Sequence, residues 1–276
     1  MLIALDAGHG LNTLGKRCMK AIDPNQTKEW VLNSRIAEKV EALLAGYNCE
    51  VLRVDDRTGK KDVSLSQRVK AANNAKATVY VSIHHNAGIK GGTGGGIVIF
   101  AAVSCSQKPK ELQKAVYTAT VEKTGLKGNR SNPMPEKNYY VVKYTKMPAI
   151  LGEFGFMDSA KDTPIILTDS FAQKAAEGIV EGLVAVLNLT KKEANTTTET
   201  GGAKTVTITL PVLRKGDKGA AVTSMQQLLT AKGYSTKGAD GIFGANTETA
   251  LKKYQAAKGL EPDAICGEQS WTALLK

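Results

Sequence analysis

The sequence predicts an α/β domain built on a twisted, mostly parallel or mixed sheet flanked by helices, followed by a small all-α three-helix domain. Three observations carry this. Before residue 190, short apolar runs alternate with amphipathic stretches of helical period, the pattern of a sheet with helices on both faces. Residues 190–204, TKKEANTTTETGGAK, are polar, Thr-rich and end in Gly-Gly, which is linker composition. Beyond them a frame of the form D-x-I-x-G-x-x-[ST]-x-x-A-L occurs twice, at 240–251 and 263–274. The expected organisation is therefore a catalytic-size domain over 1–189, a linker over 190–209 and a small domain over 210–276, and 276 residues suffice for one large and one small core.

The strand candidates are 1–6, 49–54, 78–84, 95–102, 138–143 and 147–153, each rich in Val, Ile, Leu or aromatic residues. The helix candidates are 28–45, 64–75, 107–124 and 169–187; in the first, Leu32, Ile36, Val40 and Leu43 form one apolar stripe. In the tail, 221–232 places Val222, Met225, Leu228 and Leu229 on one face. Each copy of the repeat reads as a tight turn at glycine followed by a short helix, with Thr247 and Ser270 as expected N-caps.

Composition narrows the function. The net charge is +11, with +7 on residues 1–189 and +3 on residues 205–276. Charge spread in this way suits a large anionic surface as partner and argues against sequence-reading of nucleic acid. No run of 18 apolar residues exists, so membrane insertion is not expected. The first residues read as a core strand and not as a signal peptide, which leads to the expectation of synthesis in the cytoplasm. Cys18, Cys49, Cys105 and Cys266 have no CxxC spacing and read as free thiols.

The chain has three histidines, and all sit where apolar runs stop. His9 closes LIALDAGHG; His84 and His85 lie in TVYVSIHHNA; a third run, PAILGEFGF, carries Glu153. In open α/β sheets ligands collect outside the carboxyl ends of the strands. Glu29 falls in the middle of the apolar stripe of the first helix, where a carboxylate needs a partner. That partner is either the backbone N–H groups of the helix start or a metal ion. Two histidines and one carboxylate with an open fourth position make a catalytic zinc site, with a second carboxylate such as Glu153 as general base. The same residues, taken singly, also read as satisfied polar groups or salt-bridge partners.

Four segments together, LDAGHG, KEWVLNSRIAEKVEALL, SLSQRVKAANNAKATVYVSIHHNA and MPAILGEFGFMDS, resemble in order and spacing the signatures of the zinc-dependent N-acetylmuramoyl-L-alanine amidases of the amidase-3 type. The resemblance implies Zn2+ held by His9, Glu29 and His84, with Glu153 as the catalytic carboxylate. It further implies hydrolysis of the amide between N-acetylmuramic acid and L-alanine in bacterial peptidoglycan. His85 departs from the small residue usual after the ligand histidine; the S-x-H-x-N-A frame selects His84. His85, Asn86 and Arg68 are expected at the substrate, with a structural ion pair as the alternative for Arg68. The tail resembles small peptidoglycan-binding modules through Leu213, Gly216, Gly219, Val222, Met225, Gln226 and Leu229, then Gly241, Phe243, Gly244, Thr247, Ala250, Leu251, Tyr254 and Gln255. A phage or prophage endolysin acting on a Gram-positive wall is the favoured reading. A bacterial autolysin, a zinc peptidase cutting within the stem peptide and a non-catalytic wall-binding protein are the rivals. Oligomeric state is not legible.

Overall fold

The computed structural model describes residues 1–192 and 210–275. The chain divides into two units, Met1–Thr196 and Thr197–Lys276. Most of the linker expected over 190–209 lies outside the described residues.

The first unit holds a five-stranded sheet in the order β2-β1-β3-β5-β4. Its strands are β1 (Leu2–Ala7), β2 (Glu50–Arg53), β3 (Val79–Asn86), β4 (Ile97–Phe100) and β5 (Ala149–Phe156). Three pairings are parallel and only β4 against β5 is antiparallel. Between the strands run α1 (Glu29–Leu44), α2 (Leu65–Asn74) and α3 (Gln107–Thr124), then the short α4 (Tyr140–Tyr144) and α5 (Thr163–Ile166), and finally α6 (Asp169–Leu187).

Strand alternation sorts the core into two layers. Ile3, Leu5, Val79, Val81, Ile83, Ile97, Ile99 and Ile150 face a large cluster with Leu32, Ile36 and Val40 of α1, Val116 of α3 and Ile179 of α6. Ala4, Tyr80, Val98, Phe100, Ala149 and Leu151 face a smaller one with Val69 and Ala72 of α2 and Val141 and Val142 of α4. Burial of each aliphatic side chain contributes about 1.5–3 kcal/mol, so this sorting dominates the stability of the unit.

One predicted strand is a helix. Residues 138–143, NYYVVK, have strand composition, yet Tyr139 O accepts from the N–H groups of Val142 and Lys143, and Thr145 Oγ1 donates to Val141 O at 2.8 Å. Adjacent Val141 and Val142 are both buried on the smaller cluster, which one helical turn permits and an exposed-edge strand does not. The chain just before this turn runs along the sheet edge, where Glu136 bridges to Ala101 and Asn138 Oδ1 accepts from Val103 N.

Among its described residues the second unit is built of helices, α7 (Ala220–Ala231), α8 (Ala245–Ala257) and α9 (Glu268–Leu275), around Val222, Met225, Leu229, Phe243, Leu251, Tyr254 and Trp271. The repeat acquires a physical meaning here. Gln226 Nε2 meets Asp240 Oδ1, Ile242 O and Thr247 Oγ1, while its Oε1 accepts from Gly241 N. Gln255 does the same with Asp263, Ile265 O, Ser270 and Ala264 N. A buried glutamine thus ties each turn to the preceding helix. Thr247 and Ser270 are not N-caps: Gly244 caps α8, and both hydroxyls serve the glutamines instead.

Candidate active site

The three parallel strands β1, β3 and β5 end on one edge of the sheet. His9 is the second residue after β1, His84 lies near the end of β3, and Glu153 pairs with His84 in register on β5. Alternation turns His84 and Glu153 to the face of the smaller core cluster and His85 to the other face. α1 starts at the same edge. Lys28 is extended, and Glu29 N–H donates to Lys16 O at 3.0 Å, so the carboxylate enters on the first helical residue.

His9, Glu29 and His84 offer ligand atoms within 4.8 Å of one another. His84 Nδ1 lies 3.0 Å from Glu29 Oε1, and His9 Nε2 lies 3.3 Å from Glu29 Oε2. The two imidazoles meet edge to face, 4.9 Å between centroids. Burial alone would raise the Glu29 carboxyl, but His84 and His9 hold it well below the usual carboxylate range. Burial disfavours charge on His84, yet Glu29 raises it above the ordinary imidazole value. Glu29 Oε2 is buried and has no hydrogen-bond partner. That oxygen faces His9 while Oε1 faces His84, and two imidazole nitrogens around one buried carboxylate suit a divalent metal of the zinc type.

Two backbone features hold this arrangement. His9 sits at φ 68°, a left-handed conformation that a β-branched or bulky residue rarely adopts. A Cβ at Gly8 would overlap the His84 ring, so only glycine lets the imidazole reach its place.

Glu153 lies on the wall of a cleft of about 600 Å³ that His9, His84, Asn86, Lys16 and Tyr139 also line. Burial pushes its carboxyl up to about 7, and the His84 charge opposes the shift. Its Oε2 is buried without a hydrogen-bond partner. A carboxyl that titrates near neutral pH, with one oxygen unpartnered and beside the cluster of His9, Glu29 and His84, is matched to moving a proton at physiological pH.

The remaining predicted residues divide. Asn86 lines the cleft, its Oδ1 accepting from Ala87 N at 2.9 Å. Arg68 lies at the back of a second, smaller cleft beside His9 and His84, but its donors are spent inside the protein. Its five N–H donors are engaged: Nε by Val63 O, Nη1 by Asp6 and Ala7 O, Nη2 by His9 O and Asp62. The guanidinium is buried and forms the ion pair that was the alternative. His85 is also buried. Its Nδ1 donates to Asn33 Oδ1 at 2.8 Å, its main-chain N–H donates to Glu29 Oε1 at 3.2 Å, and burial lowers it to about 3, so the ring is neutral. It supports the cluster from behind.

Sequence reasoning missed three residues. Asp6 accepts from Arg68, Tyr80 and Ser82; an acid inside the apolar run LIALDAG was the signal. Asn33 lies four residues after Glu29 on the same stripe, fully buried, and bridges Gly8 O to His85. Lys16, with Nζ 3.8 Å from Glu29 Oε2, sits in a loop without any pattern to mark it.

Residues 3–185 match the family of N-acetylmuramoyl-L-alanine amidases (Amidase_3). The chain belongs to this amidase family. Residues 218–274 match a peptidoglycan binding domain (PG_binding_1). The chain is 33% identical to the endolysin of Bacillus phage SPP1 over 191 residues, covering 69% of this chain and 68% of that one. It is 32% identical to the N-acetylmuramoyl-L-alanine amidase CwlM of Bacillus licheniformis over 192 residues, 70% and 71% of the two chains. The solved N-acetylmuramoyl-L-alanine amidase of Clostridium difficile 630 superposes with a TM-score of 0.61 at 31% identity, over 68% of this chain and 96% of that one. The amidase is thus a peptidoglycan hydrolase whose cluster of His9, Glu29 and His84 can hold a metal ion.

Proposed function

We propose that this amidase hydrolyses the bond between the lactyl carbonyl of N-acetylmuramic acid and the amine of L-alanine, with zinc held by His9, Glu29 and His84 and with Glu153 as the proton-transfer group. The observation that carries the reading is the buried Glu29 carboxylate with His9 on one oxygen and His84 on the other, and the unpartnered Glu153 Oε2 in register on the next strand. When bound there, zinc supplies a Lewis acid for the scissile carbonyl and acidifies the attacking water. Glu153 accepts a proton from that water through its carboxylate and delivers it to the departing amine, whose expulsion needs protonation. Asn33 and the His85 main chain hold the ring and the carboxylate from behind. Arg68 holds the His9 carbonyl, and Asn86 faces the bound chain.

The second unit supports retention on the wall, since its sequence matches peptidoglycan binding domains. Tethering raises the local concentration of scissile bonds without changing the chemistry. We infer the lytic role of an endolysin from the similarity to the phage SPP1 protein; the similarity to bacterial wall amidases supports the autolysin alternative. Digestion of purified peptidoglycan tests the reaction. New L-alanine amino termini without new reducing sugars, lost on chelation and restored by zinc, are expected. Amino termini from within the stem peptide would mark a peptidase instead.

A further inference from the structure

Two clefts meet at the metal cluster. The larger, about 600 Å³, contains Glu153; the smaller, about 320 Å³, lies between His9, His84 and the Asp62–Leu65 segment. The assignment of their occupants rests on the proposed reaction, in which Glu153 must reach the departing nitrogen. The peptide arm therefore occupies the larger cleft and the muramoyl arm the smaller. Lys16 is the one cationic side chain on the wall of the larger cleft among the described residues.

The loop that carries Lys16 is fixed and not free to wander. Its carbonyl accepts from Glu29 N, and Arg17 bridges to Lys28. The amine projects past the metal cluster, 3.8 Å from Glu29 Oε2, with the side chain about half exposed at 46%. A divalent cation held by Glu29 repels a second cation at that distance and takes over its counter-charge. The ammonium then needs another anion, and it lies in the arm that holds the leaving peptide.

In bacterial stem peptides the residue after L-alanine is an isoglutamyl unit, whose α-carboxyl is either free or amidated. One residue beyond the alanine, that group lies roughly 4–6 Å from the scissile nitrogen. The Lys16 amine stands on the wall of that arm, 3.8 Å from Glu29 Oε2. We propose that Lys16 is a specificity-determining residue that binds the α-carboxylate of the second stem residue, so that the amidase prefers the free acid to the amide. Asn86, on the same wall, is neutral and does not discriminate between the two by charge.

Steady-state kinetics with two soluble muropeptides that differ only in this group, free acid or carboxamide, test the assignment. The zinc-loaded full-length wild type should favour the free acid by about tenfold in kcat/KM, mostly through KM, as for a partly exposed charge-assisted contact. Lys16→Met should abolish the preference by raising KM for the acid alone, and Lys16→Arg should keep it. Metal content measured alongside separates any loss of zinc from loss of recognition. Inhibition of the wild type by the product peptides gives the same comparison without a substitution: the acid should inhibit about tenfold more strongly. Equal kcat/KM for acid and amide in the wild type, or a preference that survives in Lys16→Met, would overturn the role of Lys16. Cleavage of neither muropeptide by the zinc-loaded wild type would overturn the amide-hydrolysis reading itself.

Discussion

Arg68 donates through Nη2 to the main-chain carbonyl of His9 at 3.0 Å, and so an arginine from α2 fixes the backbone of a histidine on the loop after β1. That histidine is in the left-handed region. The other donors of the guanidinium reach Asp6, Ala7 O, Val63 O and Asp62, which makes it the clamp on the whole turn. Lysine presents a point charge and cannot reproduce this fork. Arg68→Lys should leave the helical and strand content unchanged by circular dichroism and weaken zinc about 10–100-fold in a competition titration, the usual effect of losing a group that orients a ligand. Arg68→Ala leaves Asp6 buried without its cation and should destabilise the unit by about 3–5 kcal/mol. Unchanged zinc affinity in a folded Arg68→Lys protein would show that His9 holds its conformation unaided.

Glu153→Gln keeps the shape of the side chain and removes its capacity to carry a proton. Zinc content and thermal stability should persist while turnover falls about 10²–10⁴-fold. Near wild-type turnover would assign the proton transfer elsewhere.

The pH profile follows from the same carboxyl. The active form is the carboxylate, and burial places its protonation at about 7 in the metal-free cluster. A divalent cation beside it favours the carboxylate and moves the midpoint down. kcat/KM should therefore fall as pH drops through a midpoint at or below about 7. That acid limb should be missing from the residual activity of Glu153→Gln. A limb that persists in this variant would belong to another group.

Much of the site was legible in the chain. The runs into His9 and His84 are apolar and stop at glycine or asparagine, Glu29 interrupts an apolar stripe, and Glu153 interrupts a strand that runs on to Phe156; local pattern marks all four, and the resemblance to the amidase signatures singles them out. NYYVVK escaped because β-branched and aromatic residues favour a strand locally, whereas packing of adjacent valines on one cluster decides for a helical turn. Lys16 and the partner of Arg68 escaped for a different reason. Which arginine turns inward and which loop lysine reaches a cleft depends on elements far apart in sequence: Arg68 meets Asp6 across 62 positions. No short-range pattern encodes that pairing.

The two core clusters of the first unit draw only on residues before 190. A chain of residues 1–192 should fold alone and cleave soluble muropeptides at the full-length rate. It should lyse intact cells more slowly, because it lacks the unit that matches peptidoglycan binding domains. Equal lysis rates, measured by turbidity, would remove the tethering role.

In the second unit, Gln226 and Gln255 each satisfy one turn. Replacing either with alanine orphans a buried main-chain N–H and takes one of two partners from a buried threonine or serine hydroxyl, and should cost about 1–3 kcal/mol. Chemical denaturation of the full chain carrying Trp30→Phe, followed by the fluorescence of Trp271, should shift, while hydrolysis of soluble muropeptides by the chain with Trp30 intact stays constant. A matching loss of both would mean that the tail supports the catalytic unit.

The most direct measurement is anomalous diffraction at the zinc edge from crystals of the full-length protein. One strong peak is expected, bonded to His9, Glu29 and His84 at about 2.0–2.2 Å, with Glu153 near but not bonded and His85 turned away. A peak ligated by His85 or Glu153 in place of any of these three, or a fully active protein with no peak, would contradict a metal centre built on His9, Glu29 and His84.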